Sequence, residues 1–375
     1  MKIAIVCYPT FGGSGVVATE LGLELARKGH EIHFITYSQP VRLALLNKNI
    51  FYHEVHVPEY PLFHYQPYEL ALSSKLVDMV KLYKIEVLHV HYAIPHAYAG
   101  YMAKKMLEEV GIRIPMVTTL HGTDITLVGN HPFYKPAVTF SINKSDVVTS
   151  VSQSLKDDTI RLFEIEREIN VIPNFIDTSK YQHNFTDCQR EMMADKDEMI
   201  ITHISNFREV KRIPDVIKIF YKIQQNIPAK LIMVGEGPEK ENAEYLCDEL
   251  GLTDHVLFLG NSNEIDKILC FSDLFLLPSK TESFGLAALE AMINSVPVIS
   301  SNSGGIPEVN KHGISGYLSE VGNIDEMAEN ALKILSDKSV HKKFKTNARL
   351  EATKFDIKNI VPIYEAIYQK AFALA

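Results

Sequence analysis

The sequence predicts an α/β protein made of two doubly wound domains. Short apolar strands alternate with amphipathic helical stretches along nearly the whole chain of 375 residues. This alternation is typical of a parallel sheet covered by helices on both faces. The strands fall into two series, and the length is sufficient for two domains that each bury a core.

The first series of strands predicts an N-terminal domain, residues 1–175. Its members are KIAIVC, EIHFITY, FYHEVHV, VLHVHYA, MVTTLH, DVVTSVS and INVIPN. Helical stretches are predicted between them, at 16–28, 69–83 and 97–110 among others.

The second series predicts a C-terminal domain, residues 176–355. Its strands are MIITHIS, KLIMVGEG, VLFLG, LFLLPS, VPVISS and GYL, with helices at 263–271 and 284–294. The boundary is placed near 173–177 because the stretch that follows, 180–198, is polar and poorly periodic. The tail, 356–375, carries apolar and aromatic residues at helical spacing, and we expect it to pack back onto the first domain.

Composition argues against several classes of protein. Lys plus Arg number 38 against 46 Asp plus Glu, a net charge of -8, and no basic run is dense enough for a nucleic-acid face. No apolar stretch approaches the ~20 residues that span a bilayer. The chain enters its first strand at Lys2 without a leader. We therefore expect a cytoplasmic protein without nucleic-acid or membrane partners.

The four cysteines are widely scattered and form no CxxC pair. They are Cys7, Cys188, Cys247 and Cys270. This spacing favours unpaired thiols in a reducing compartment over a disulfide framework or a zinc site.

A glycine-rich turn, YPTFGGSGVV at 8–17, joins the first strand to the first helix. Gly12, Gly13 and Gly15 let the backbone turn tightly, and the positive end of the helix dipole favours an anion there. The turn matches neither the GxGxxG dinucleotide pattern nor the GK[ST] of a P-loop. It therefore predicts either a phosphate-binding turn or a purely structural one.

A basic pair follows the first strand of the second domain, in NFREVKR at 206–212. Ligands of open α/β sheets lie outside the carboxyl ends of the strands, where this segment is predicted. Arg208 as a fork and Lys211 as a point charge are suited to a diphosphate. A solvated helix start is the alternative.

The most specific stretch is TESFGLAALEAM at 281–292. Glu282 precedes a helix whose free N–H groups face the same edge of the sheet, and Glu290 lies about two turns further on. Two carboxylates that flank an anion-binding helix start indicate sugar hydroxyls, a phosphate and a ribose. An ordinary helix with a surface glutamate is the alternative.

Two segments suggest a metal site, and we expect a metal at neither. His89 and His91 face the same side of a strand, with His96 nearby, but no carboxylate or cysteine completes a set. The sequence DKD at 195–197 matches a DxD metal motif, but it lies in a polar connector and is predicted to be solvated surface.

These motifs together resemble the retaining GT-B glycosyltransferases of glycosyltransferase family 4. The resemblance rests on Glu282 and Glu290 with seven residues between them, and on LFLLPS, VGEGP, NFREVK and NSGGIPEV. It implies two Rossmann-like domains that face a central cleft. The segments FGGSGVVATELG, HVHYAIPHAYAG and TTLHGTDIT resemble members that transfer N-acetylglucosamine from UDP-N-acetylglucosamine to L-malate, the first step of bacillithiol biosynthesis.

The resemblance implies a role for each matching residue. Glu290 would bind the ribose hydroxyls and Glu282 those of the hexose, while His121 would lie beside the reacting carbon. Catalytic roles are implied for Arg208, Lys211, Glu282 and His121. Donor binding is implied for Gly13, Asn206, Arg208, Lys211, Gly235, Glu282, Ser283, Phe284, Gly285, Leu286 and Glu290.

An acceptor with two carboxylates requires hydroxyls, amides and cations. The residues that fit are Ser14, Tyr92, Thr119, Asn206 and Arg208, although the first three are equally consistent with structural hydroxyls. No cofactor or metal is expected, because the UDP-sugar is a substrate. The alternatives are another small or lipid-linked acceptor, a nucleotide-sugar-binding protein or an epimerase; whether the chain forms a homo-oligomer stays open.

Overall fold

The computed structural model describes residues 1–10, 12–59, 61–62, 64–181 and 190–374. They form two compact units. The first contains Met1–Phe175 together with Ile357–Ala375, and the second contains Ile176–Asp356. Within the described residues, no helix is long and apolar enough to cross a bilayer.

The first unit contains a parallel sheet of seven strands. The strands are β1 Lys2–Val6, β2 Glu31–Thr36, β3 Ile50–Glu54, β4 Val87–His91, β5 Met116–Leu120, β6 Val147–Ser150 and β7 Ile169–Val171. Their order is β3-β2-β1-β4-β5-β6-β7. Every residue of β4 and β5 is buried, as is typical of a parallel sheet with both faces covered.

The helices of the first unit cover this sheet. They are α1 Gly13–Arg27, α2 Tyr68–Tyr83, α3 Tyr98–Glu108, α4 Lys135–Lys144, α5 Gln153–Leu162 and, from the tail, α13 Ile357–Ala373. In α13, Tyr364 and Tyr368 are almost fully buried, and the Tyr368 hydroxyl shares a 2.8 Å hydrogen bond with Nδ1 of His89. The aromatic spacing of the tail thus fixes it to the sheet of the first unit.

The second unit contains a parallel sheet of six strands. The strands are β8 Met199–Ile204, β9 Ala229–Val234, β10 Val256–Gly260, β11 Leu274–Leu277, β12 Val298–Ser301 and β13 Gly316–Ser319, in the order β10-β9-β8-β11-β12-β13. Its helices are α6 Ile213–Gln224, α7 Lys240–Glu249, α8 Ile265–Cys270, α9 Leu286–Ile293, α10 Ile306–Val309, α11 Ile324–Leu335 and α12 Lys338–Thr353.

The direction of chain winding reverses once in each sheet. The reversal lies between β1 and β4 in the first unit, and between β8 and β11 in the second. Loops that leave adjacent strands in opposite directions open a crevice at the carboxyl edge, and ligands of such sheets bind there. The candidate site residues of each unit are therefore expected near its reversal point.

The structure confirms every strand that the sequence predicts and corrects some details. Helix α1 begins at Gly13, three residues before the predicted start, because the glycine turn is already part of its first turn. Cys7 and Cys247 are buried free thiols, but Cys270 is in a disulfide, so the expectation of unpaired thiols is wrong for this residue. Cys188 lies outside the described residues.

Candidate active site

In the second unit, an ion pair joins the two loops at the reversal point. The Lys211 ammonium, after β8, contacts the Glu282 carboxylate, after β11. The Ser279 hydroxyl donates to the same carboxylate over 3.0 Å, and the Lys280 N–H donates to the Val210 carbonyl over 2.8 Å. The two loops are therefore held together by side chains and by backbone.

The two predicted diphosphate ligands of this unit differ in their surroundings. The side chains of Lys211 and Glu282 are only 19% and 14% exposed. Arg208 is exposed, and its guanidinium makes no hydrogen bond or ion pair within the described part of the chain. A partly buried ion pair has a defined geometry, whereas all five N–H donors of Arg208 are available to an anion.

The start of helix α9 lies beside this pair. Its N-cap is Gly285, with φ +97°, and the first-turn N–H groups have no side-chain cap. Phe284 is buried, and its ring packs edge-on against Phe355 with the centroids 5.6 Å apart. The side chain of Phe284 therefore anchors the loop, while the backbone at 285–288 offers donors to an anion.

The NSGG segment packs against the backbone of the loop that carries Glu282. The Gly305 N–H donates to the Glu282 carbonyl over 2.8 Å. Gly304 has φ +60°, and a Cβ on it would lie 2.0 Å from the same carbonyl oxygen. Only glycine permits both this backbone conformation and this approach, so the segment fixes where Glu282 lies.

The VGEGP segment packs against the loop that carries Arg208. The Phe207 N–H donates to the Glu236 carbonyl over 3.0 Å, and the Glu239 N–H donates to the Phe207 carbonyl over 2.9 Å. Gly235 has φ +127°, and a Cβ on it would lie 1.8 Å from the Ser205 carbonyl oxygen. The predicted donor residue Gly235 thus has a steric reason to be glycine.

His203 is a buried residue of this site that the sequence did not indicate. Its Nδ1–H donates to the Leu276 carbonyl of β11, and its Nε2 accepts from the Ser205 hydroxyl, each over 2.8 Å. Burial lowers the pKa of His203 to about 4, so the imidazole is neutral at pH 7. It links β8 to β11 at the reversal point.

In the first unit, Tyr92 and Ser14 connect the loop after β4 to helix α1. The Tyr92 hydroxyl donates to the Ser14 hydroxyl over 2.6 Å. Tyr92 has φ +83°, an uncommon conformation for a residue other than glycine. Burial raises the pKa of Tyr92, so its hydroxyl stays protonated and remains a hydrogen-bond donor.

His121 and Asp124 follow β5 in the same unit. Nε2 of His121 shares a 2.8 Å hydrogen bond with Nδ1 of His91, and burial lowers the pKa of His121 to about 3. The Asp124 carboxylate accepts from the backbone N–H groups of Ala93, at 2.8 Å, and Gly122, at 3.0 Å. Burial raises the pKa of Asp124 to about 6. Asp124 therefore ties the loop after β4 to the loop after β5.

The glycine turn has a steric requirement at one of its glycines, which agrees with the structural alternative and leaves phosphate binding a prediction. Gly12 has φ -65°, so its conformation is available to any residue. At Gly15 a Cβ would lie 2.5 Å from the Tyr8 carbonyl oxygen and 2.6 Å from that of Thr10. Close packing of α1 on the end of β1 thus requires glycine at 15, and Gly13 begins the helix.

The two segments that resembled metal sites have other surroundings in the structure. His89 bonds to Tyr368 and, through Nε2 at 2.8 Å, to the Thr119 hydroxyl. Among the described residues, no group of three or more His, Cys, Asp or Glu could hold a metal ion. Residues 195–197 are exposed, as the sequence predicts.

Comparison with known proteins decides the family. The model of Glycosyltransferase Family 4 matches residues 11–180, and that of Glycosyl transferases group 1 matches residues 186–351. The chain is 47% identical to the N-acetyl-alpha-D-glucosaminyl L-malate synthase of Bacillus anthracis, over 98% of this chain and 96% of that protein. The chain belongs to glycosyltransferase family 4.

Other relatives of this glycosyltransferase are more distant. One is the 2-deoxystreptamine N-acetyl-D-glucosaminyltransferase of Niallia circulans, 25% identical over 95% of this chain and 97% of the relative. Sucrose-phosphate synthase from Thermosynechococcus elongatus superposes with a TM-score of 0.81 at 20% identity, and covers 100% of both chains. Anabaena HepE, solved with UDP and glucose, gives 0.80 at 21% identity over 98% and 99%. The GT-B fold, with two Rossmann-like domains, is confirmed.

The structure of the glycosyltransferase groups most of the predicted site residues at the two reversal points. In the second unit these are Asn206, Arg208, Lys211 and Glu282, with Ser283–Leu286 at the start of α9 and Glu290 one turn further on, while Gly235 follows the neighbouring strand β9. In the first unit these are Ser14 and Tyr92, and His121, after the neighbouring strand β5, has its ring 5.0 Å from that of Tyr92.

Thr119 is the exception among the predicted acceptor residues. It is fully buried within β5, and its hydroxyl bonds to His89 Nε2 and to the Thr149 hydroxyl, at 2.8 and 2.7 Å. These contacts favour the structural alternative. Sequence reasoning also missed His203 and Asp124; the only signal for Asp124 was its place in the LHGTD segment, of which His121 alone was singled out.

Proposed function

We propose that this glycosyltransferase transfers N-acetylglucosamine from UDP-N-acetylglucosamine to the hydroxyl of L-malate, with retention of the α configuration. The observation that carries the proposal is the 47% identity, over 98% of the chain, to an enzyme named for that product. In this proposal the reaction is the first step of bacillithiol biosynthesis and takes place in the cytoplasm.

The donor is proposed to bind to the second unit. Arg208 and the first turn of α9 would hold the diphosphate, with Lys211 beside them. Glu290 would accept from the ribose hydroxyls and Glu282 from those of the hexose. The ion pair between Lys211 and Glu282 supports these roles, because it holds a cation for phosphate and a carboxylate for sugar side by side before the donor arrives.

The acceptor is proposed to bind through Ser14, Tyr92, Asn206 and Arg208. Hydroxyl and amide N–H donors and one cation match the two carboxylates of malate. Two observations support this assignment. The Tyr92 hydroxyl stays protonated because burial raises its pKa, and Arg208 has no other partner among the described residues.

The chemical step is departure of UDP from the anomeric carbon. The bond from C1 to the β-phosphate oxygen breaks, and the malate oxygen bonds to C1 on the same face while its proton passes to the leaving phosphate. Arg208, Lys211 and the α9 start would stabilise the charge that grows on that phosphate. Because His121 is neutral at pH 7, it could bond to a sugar hydroxyl without adding positive charge beside a carbon that becomes cationic.

The proposal includes no metal, because two cations and a helix start would face the diphosphate. UDP release from UDP-N-acetylglucosamine, measured with and without L-malate and with a chelator present, tests the function. We expect release only with malate, unchanged by the chelator, and an α-linked product by NMR.

Three results would contradict the proposal and identify an alternative. Turnover with an inositol phosphate or a lipid-linked sugar but not with malate would indicate another acceptor. Epimerisation of the donor without an acceptor would indicate an epimerase. Tight donor binding without turnover of any kind would indicate a binding protein.

A further inference from the structure

A basic groove runs along helix α12 of the second unit, away from the loops at the reversal point. The groove is open to solvent and has a volume of about 550 Å³. Five basic residues line it: Lys338, His341, Lys342, Lys345 and Arg349. No acidic residue contributes to its lining, although the chain as a whole has a net charge of -8. We call this feature the α12 groove.

The cations of the α12 groove lie on one face of the helix. Lys338, Lys342, Lys345 and Arg349 follow one another at intervals of four, three and four residues. Residues at such intervals are neighbours on a helix surface, and like charges there destabilise the helix. A bound anion would remove this repulsion.

The lysines of the α12 groove have no partners that neutralise them. Lys338, Lys342 and Lys345 make no ion pair or hydrogen bond through their ammonium groups with any described residue. Asp273 is the carboxylate that acts on Lys345, but it is ion-paired with Arg190 at 2.8 Å. Burial lowers the pKa of Lys345, and the opposing effect of Asp273 is too small to cancel it.

The free cations of the α12 groove are ammonium groups, which can bind an anion such as phosphate. The Arg349 guanidinium is already used, since it donates to the Ile293 carbonyl over 2.7 Å and to the Tyr181 carbonyl over 3.2 Å. The α12 groove therefore offers mainly a row of lysine point charges, and lysine is a common ligand of phosphate groups.

The size of the α12 groove indicates more than an inorganic ion. A space of about 550 Å³ falls within the range of about 300–1,000 Å³ that is usual for small-molecule sites. The lysine stems and the Leu350 side chain, which is 58% exposed, supply an apolar wall. The Thr346 hydroxyl also lines the groove and can accept a hydrogen bond.

We propose that the α12 groove is a binding site for a free, phosphorylated small molecule, separate from the site at the reversal point. The phosphate would contact Lys342 and Lys345, and the remainder of the ligand would lie along the apolar wall. Lys345 is recessed between its neighbours and Lys342 is exposed. A small anion can reach both groups, whereas a flat membrane surface would contact only the outer one.

Lysine footprinting on the full-length protein tests the proposal. Acetylation of each lysine by acetic anhydride would be followed by mass spectrometry, with and without inorganic pyrophosphate, at constant ionic strength. We expect pyrophosphate to protect Lys342 and Lys345. Lys343 is the matched control, because it is exposed on the same helix and does not line the groove.

Substitution of single lysines tests the same contacts in a second way. We expect Lys342→Gln and Lys345→Gln each to remove the protection of the other lysine and to weaken pyrophosphate binding at this site by at least about tenfold. Lys343→Gln should change neither result. Lys342 is exposed, so its substitution tests the charge without disturbing the fold.

Three results would overturn the proposal. Equal protection of Lys343 would show a general attraction of anions to a basic helix. Absence of protection at Lys342 and Lys345 would show that no phosphate binds. Protection by vesicles of phosphatidylglycerol but not by pyrophosphate would show that the basic face serves a lipid surface instead. Protection from acetylation is measured on the lysines of α12 themselves. None of these results therefore depends on the transferase activity.

Discussion

Individual residues with the same predicted role have different physical situations in this protein. Arg208 and Lys211 both follow β8, yet Lys211 is ion-paired and partly buried whereas Arg208 is exposed without a partner among the described residues. An exposed, unpaired arginine contributes little to folding, and its removal leaves no buried charge behind. Arg208 therefore allows a test of function that is separate from stability.

We expect Arg208→Ala to lower kcat by about 10²–10³, the usual effect of losing one well-aimed donor to a developing negative charge. Arg208→Lys should recover part of the loss, because the charge remains while the fork is lost. Steady-state kinetics with UDP-N-acetylglucosamine and L-malate measures the effect. The melting temperature should not change in either variant; an unchanged kcat in Arg208→Ala would exclude Arg208 from the reaction.

At the scale of elements, the site of the second unit depends on how closely backbone segments approach each other. The NSGG segment touches the Glu282 backbone only because Gly304 has no side chain, and the Gly305 N–H holds the same carbonyl. Glu282 in turn contacts Lys211 on the other loop. The position of Glu282, the carboxylate proposed to bind the sugar, thus depends on a residue about twenty positions away in the chain.

Gly304→Ala should displace Glu282 and lower kcat/KM by about 10²-fold, the effect expected when a catalytic group moves by about an ångström. Gly313→Ala is the matched control. Gly313 also has positive φ, at +73°, but a Cβ on it would have no neighbour within 4 Å. Both variants carry similar backbone strain. If they lost equal activity, strain alone would explain the result and the packing argument would fail.

At the scale of the whole molecule, buried neutral histidines make stability depend on pH. Burial lowers the pKa values of His53, His89, His96, His121 and His203 to between about 3 and about 4. An unfolded histidine takes up a proton near pH 6.5, so the stabilisation is complete above that pH and is lost as the pH falls toward 4. Asp124 has the opposite effect on the dependence of stability on pH. Its pKa is raised to about 6, so as the pH falls the folded state takes up this proton before the unfolded state does.

We expect the free energy of unfolding to fall as the pH decreases from about 6.5 to 5, since several histidines outweigh one carboxyl. Replacing His203 by Asn should make the dependence of the second unit shallower by up to about 1.4 kcal/mol per pH unit, the contribution of one proton. Urea unfolding at several pH values measures both slopes. Equal slopes for His203→Asn and the wild type would refute the assignment.

The sequence by itself determined the two series of parallel strands, and it predicted the division of the chain and the proposed donor-site residues. These properties follow from local patterns. Apolar runs of strand length alternate with amphipathic helices, and segments such as NFREVKR and TESFGLAALEAM keep their functional residues within one loop or one helix turn.

Only the tertiary structure decided which of those residues meet and what supports them. The Lys211 and Glu282 pair, the His203 bridge to β11 and the Asp124 contact with Ala93 each join segments that are distant in the chain. The assignment of the Thr119 hydroxyl to the sheet also required knowing its neighbours across two strands. Burial and long-range hydrogen bonding depend on strand order, and the periodicity of a sequence carries no direct record of that order.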